Sequence, residues 1–83
     1  MKDYKTGTVL LDFYANWCGQ CKMLMPRVEL VTKNHSDLTV YEVDVDKEQE
    51  LVSKFNITNL PTFILLKDGE VIKRGGAEVL ESL

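Results

Sequence analysis

Eighty-three residues, 45% of them hydrophobic and 28% charged, bound the chain to one small domain spanning 1–83, and that composition excludes intrinsic disorder. A net charge of −3 without a Lys or Arg stripe argues against nucleic acid as a partner. Apolar runs such as Phe63-Ile64-Leu65-Leu66 fall far short of the roughly 20 residues that cross a bilayer, so no membrane association is expected. Residues 1–7 carry no apolar stretch resembling a secretory signal, and the expected location is a reducing cytoplasm.

After Thr8, Val9-Leu10-Leu11-Asp12-Phe13-Tyr14-Ala15 is near-continuous in apolar character, the pattern of a strand covered on both faces. Asn16-Trp17 breaks the run. From Cys18 the period changes: Leu24, Val28 and Val31 recur at i, i+4 and i+7 and mark the core stripe of a helix. Pro26 is expected to kink that helix, because its ring removes a backbone donor and crowds the preceding turn. Asn34-His35-Ser36-Asp37 should end it. Residues 38–46 alternate, with Tyr41, Val43 and Val45 facing one way and Val40, Glu42, Asp44 and Asp46 the other, as in a half-buried strand.

Asp46 is placed to cap a short helix over residues 47–55, whose apolar side is Leu51, Val52 and Phe55. A loop leads to Pro61, and Thr62-Phe63-Ile64-Leu65-Leu66 reads as a second fully buried strand. Asp68-Gly69 ahead of Val71 predicts a tight hairpin with positive φ. Gly75-Gly76 stops a fourth strand, and residues 77–83 form a short terminal helix. This order implies an α/β fold, a mixed four-stranded sheet flanked by three helices. Its first two strands should be parallel through a right-handed crossover, and its last two an antiparallel hairpin.

Both cysteines sit in Cys18-Gly19-Gln20-Cys21. Secreted domains stapled by disulfides usually carry four or more cysteines, and a bridge here closes too short a loop to remove much denatured-state entropy. The pair therefore asks for a chemical role. Cys18 falls at a helix N-terminus, where unpaired amides and the macrodipole favour a thiolate. Cys21, one turn on, should lie behind it, shielded by helix and strand. Cys18 would attack a substrate disulfide, and Cys21 would resolve the mixed disulfide. Gly19 lets the backbone pass close to an incoming chain.

Asp12 is the one charge in a segment that otherwise reads as buried. Desolvation should raise its pKa and fit it to exchange a proton with Cys21; the alternative is an Asp at the wet end of its strand. A structural zinc site would need four ligands, and only Cys18, Cys21 and His35 are on offer. No metal is expected, and no cofactor beyond the redox-active disulfide Cys18–Cys21 itself.

Asp12-Phe13-Tyr14-Ala15-Asn16-Trp17-Cys18-Gly19-Gln20-Cys21-Lys22-Met23, with Pro26, Leu60-Pro61-Thr62 and Lys67-Asp68-Gly69-Glu70, resembles the thioredoxin family over residues 9–76. The resemblance implies a thioredoxin-like fold and a thiol–disulfide oxidoreductase, a protein-disulfide reductase with Cys18 as nucleophile and Cys21 as resolving thiol. It implies Trp17 as the aromatic flanking the dithiol, and Pro61 as a cis-proline whose preceding Leu60 pairs with a substrate strand. Gly75 or Gly76, with Gly75 preferred, would keep the groove open, and Asp12 would be the buried carboxylate. Partners would be disulfide-containing proteins and a recycling thioredoxin reductase or glutathione, with the chain acting as a monomer in electron transport and redox homeostasis. Trp-Cys-Gly-x-Cys favours thioredoxin over a glutaredoxin-like, glutathione-coupled reductant. A different class of reading is a non-catalytic assembly subunit that uses the apolar groove beside Trp17, Leu60 and Gly75.

The chain departs from that pattern in three places. Gln20 stands where thioredoxins usually have proline, beside the thiols and in a position to tune them toward a less reducing dithiol. The family's opening strand and helix are missing, which makes residues 38–46 a sheet edge. Glu42 falls where many thioredoxins carry a Lys close to the buried carboxylate. It either faces Asp12 and raises a carboxyl pKa or faces solvent as an edge guard, and the acids beside it favour the guard.

Overall fold

The computed structural model describes residues 3–83. In chain order come β1 (Thr8–Tyr14), α1 (Gly19–Asn34), β2 (Leu38–Asp44), α2 (Gln49–Lys54), β3 (Thr62–Lys67), β4 (Glu70–Gly75) and α3 (Ala77–Glu81). The sheet order is β2-β1-β3-β4. β1 runs parallel to β2, and the β1–β3 and β3–β4 pairs are antiparallel. Among the described residues nothing regular precedes β1, and β2 is an edge as expected.

The near-continuous apolar strands are central because each must cover both faces of the sheet. In β1, Val9, Leu11 and Phe13 point to one face, where they meet Val43, Leu51, Ile64 and Leu66, with Val52 and Phe55 packed alongside. Phe55 sets its ring edge-on to both Tyr4 and Phe13. Leu10 points to the other face with Phe63 and Leu65, under Val28 of α1 and Val79 and Leu80 of α3. Thus α2 covers one side and α1 with α3 the other. Full burial of such side chains stabilises the fold by about 1.5–3 kcal/mol each.

The Asp68-Gly69 turn has φ of 50° and 85° at its two central residues, the combination a two-residue hairpin requires. The turn also closes onto the chain entering β1. Gly7 N–H donates to Asp68 Oδ1 at 3.0 Å, and Asp68 N–H donates to Gly7 O at 2.9 Å. Helix α1 runs through Pro26 without interruption and ends where His35 N–H reaches Val31 O. His35 is therefore at the opposite end of α1 from the cysteines.

Two element ends differ from expectation. Asp46 does not cap α2. The strand stops at Asp44, whose carboxylate accepts from Asp46 N–H at 2.9 Å and whose carbonyl accepts from Lys47 and Glu48 N–H. α2 then starts at Gln49 with no side-chain cap. An Asp that turns the chain at the strand end satisfies these donors first, so the helix starts later. The last helix closes at Glu81, its final carbonyls taken by Ser82 N–H.

Candidate active site

β1 delivers the chain to Ala15, whose carbonyl accepts from Cys18 N–H at 3.1 Å and so tightens the Asn16-Trp17 turn. Cys18 is the N-cap of α1, with extended backbone (φ −90°, ψ 108°). Its Sγ accepts a hydrogen bond from Cys21 N–H at 3.2 Å. Sulfur here takes the role usually filled by a Ser or Asp oxygen, satisfying one of the helix's orphan donors. No acidic residue occupies the first turn of α1, so nothing there offsets the positive end of the helix. When Cys18 is reduced, this arrangement favours its thiolate.

Cys18 and Cys21 form a disulfide with their Cα atoms 5.3 Å apart. They pack with Ala15, against Tyr14, Val45 and Leu60. The expected shielding of Cys21 behind a more open Cys18 is not seen, since each is 8% exposed. In the oxidised pair the two sulfurs share one bridge and the two residues are equally buried.

The Leu60–Pro61 peptide is cis. Pro61 and Leu60 line an open groove of about 510 Å³ together with Gln20, Met23, Leu24, Asn59, Gly76 and Ala77. Its lining carries no charged side chain. Gln20, Met23 and Leu24 share one face of α1 by their i, i+3, i+4 spacing, a signal that could have marked Met23 from the sequence. Gly76 is the glycine in the groove, in place of Gly75. Gly75 belongs to β4, opposite Phe63, and a Cβ there would run into the Glu78 carboxylate and approach Val79 Cγ2 to 3.5 Å. Gly19, at the first position of α1, has open space where a side chain would stand.

Trp17 is 72% exposed on the other flank of the dithiol. Its indole N–H donates to Asp46 Oδ2 at 3.1 Å, fixing the ring to the β2–α2 connection. Asp46 is thus a residue the sequence reading placed in the wrong role; only the long-range fold brings it to Trp17.

Asp12 is 7% exposed and faces a cavity of about 290 Å³ that it lines with Tyr14, Ala15, Asn16, Cys21, Lys22 and Met25. The carboxyl and the second cysteine therefore open onto one space. Burial first, and the Glu42 charge second, push the Asp12 pKa up from 3.8 to about 7. The solvent-guard reading of Glu42 needs correction. Glu42 is exposed, yet the parallel register sets it directly beside Asp12, on the same face of the sheet. Tyr14 is shifted upward too, by desolvation and then by Asp44, Glu42 and Asp12. Among the described residues no group of three or more His, Cys, Asp or Glu side chains gathers as a metal site.

A family model described as thioredoxin matches residues 2–83. The thioredoxin of Mycobacterium tuberculosis is 48% identical over 67 residues, covering 80% of this chain and 58% of that protein. The thioredoxin of Bacillus subtilis is 44% identical over 68 residues, covering 81% and 65%. The crystal structure of oxidised mitochondrial thioredoxin 3 from Saccharomyces cerevisiae superposes with a TM-score of 0.86 at 32% identity, covering 94% of this chain and 76% of that one. The chain thus spans about six-tenths of the length of these two curated relatives.

Proposed function

The chain belongs to the thioredoxin family, and from that membership and the geometry of its dithiol we propose that it is a thiol–disulfide oxidoreductase that reduces protein disulfides. The observation that carries this reading is Cys18 Sγ at the N-cap of α1, hydrogen-bonded to Cys21 N–H and already bridged to Cys21. The reduced Cys18 thiolate attacks one sulfur of a substrate disulfide; that S–S bond breaks, a mixed disulfide forms and the first substrate thiolate leaves. Cys21 gives its proton to Asp12 and attacks Cys18 Sγ, which releases the second substrate thiolate. Two electrons have passed to the substrate, and the protein holds the Cys18–Cys21 bridge.

The uncharged groove over Leu60, Pro61 and Gly76 receives an extended substrate segment, with Gln20 and Asn59 as its amide-bearing walls and Trp17 closing the opposite flank. Gly19, at the helix start, leaves room for that segment to approach Cys18. Electrons come from a thioredoxin reductase or from glutathione, in the cytoplasm, where a reducing poise keeps such a pair open.

The test is turnover of a protein disulfide such as insulin, with dithiothreitol, then reductase or glutathione, as electron source. Cys18→Ser abolishes turnover, and Cys21→Ser accumulates a covalent mixed disulfide visible by mass spectrometry. Unchanged turnover in Cys18→Ser refutes the assignment.

A further inference from the structure

The face of the sheet beneath α1 holds a pair of acids in adjacent strands. The parallel register places Asp12 of β1 opposite Glu42 of β2, while on its other side Asp12 is opposite Phe63 of β3. Residues so paired in a parallel sheet project to the same side, about 4.8 Å apart along the hydrogen-bonding direction. The two carboxyls sit in unlike surroundings. Asp12 is sealed beneath the helix and opens onto the cavity it shares with Cys21. Glu42 is exposed and lines a second groove, between α1 and β2, with Met25, Val28, Glu29, Thr32, Lys33 and Val40. Met25 lines both spaces and is the wall between them.

We propose that Glu42 is a positioning residue for disulfide exchange: it acts through Asp12, strengthening the buried carboxylate as a base so that it can take the proton of Cys21. The inference rests on the oxidoreductase reading. An ordinary carboxylate is a weak base toward a thiol that ionises near 8.5. Bringing the two proton affinities together is what makes transfer between them efficient. A negative charge one strand away does this without touching sulfur.

The other charged or titratable groups around Asp12 are few. Tyr14 follows it on the same face of β1, Asp44 follows Glu42 on β2, and Cys21 and Lys22 face the cavity from α1. β3 contributes only Phe63. Lys22 is exposed at the cavity rim, so it opposes Glu42 from the side open to solvent.

The experiment follows the Asp12 carboxyl by ¹³C NMR through a pH titration of the oxidised protein, and in parallel the pH profile of insulin reduction. Glu42→Gln lowers the midpoint of both by about half a pH unit, Glu42→Lys lowers them further, and Glu42→Asp retains most of the native value. Placed in an Asp12→Asn background, Glu42→Gln leaves the activity profile where it was. An Asp12 midpoint unmoved by Glu42→Gln, or an equal change in profile without Asp12, overturns the proposal. Near pH 4, where Asp12 holds its proton in the folded and unfolded chain alike, thermal unfolding of the Glu42 variants stays within about 1 °C of the parent, and a shift confined to unfolding would also overturn the proposal. The oxidised-state titration needs no turnover, so absent Cys18-dependent turnover would refute the oxidoreductase reading separately.

Discussion

On one face of β1, Val9, Leu11 and Phe13 join Val43, Leu51, Ile64 and Leu66 in a wholly apolar cluster, whereas on the other Leu10 is followed by Asp12 and then Tyr14. Both faces are covered by helices and both are buried near the strand's centre. The first face contributes only stability. The second gives up part of that contribution at one position, Asp12, to hold a titratable group that shares a cavity with Cys21. The lesson is that the same strand can anchor a core and carry a proton, provided the alternation of its side chains keeps the two tasks apart.

Removing Phe13 from the apolar face should have the largest effect. Phe13→Ala leaves a cavity beside Phe55 and lowers stability by about 3–5 kcal/mol in denaturant titration. The opposite sign is expected across the strand. Asp12 ionises near 3.8 in the unfolded chain and at about 7 in the folded one, so below pH 4 both states hold the proton and no penalty exists. As pH rises from 4 to 7 the unfolded chain loses its proton first, and the folded state loses stability until the penalty levels off above 7. Asp12→Asn should therefore be more stable than the parent by about 2–4 kcal/mol at pH 8 to 9, and equal to it near pH 4. The same variant should slow release of the mixed disulfide by roughly tenfold or more, measured by stopped-flow. Equal stability of the two proteins at pH 9 would mean that Asp12 is not desolvated. The smallest effect belongs to Tyr14, which is only half-buried. Tyr14→Phe should change unfolding free energy by less than about 0.5 kcal/mol, and a larger loss would show that the hydroxyl is part of the site.

Much of this arrangement was readable from the chain. The uninterrupted apolar run marked β1 and β3, the i, i+4, i+7 stripe marked α1, and Asp68-Gly69 marked the hairpin, because each signal is local and has a single physical cause. Cys18 at the helix start was legible for the same reason. What escaped was long-range. Alternation put Glu42 and Asp44 on one side of β2, but which neighbour that side would meet depends on the register between strands, and nothing within residues 38–44 sets it. Asp44 and Asp46 are both turn formers two residues apart, and the end of β1–β2 pairing, not their own propensities, decides that Asp44 turns the chain and leaves Asp46 for Trp17. Gly75 and Gly76 are indistinguishable by type; the β3–β4 pairing ends between them and turns only the second toward the groove.

The clasp between Gly7 and the Asp68-Gly69 turn has a practical corollary. Thr8 pairs with Lys67 at the hairpin end of the sheet, while Tyr14 leads into the dithiol at the other end. A tether or affinity label attached through Lys67, which is exposed beside that turn, would thus leave from the pole of the molecule remote from the cysteines. Immobilising the protein by that route should keep its reactive sulfurs open to large clients.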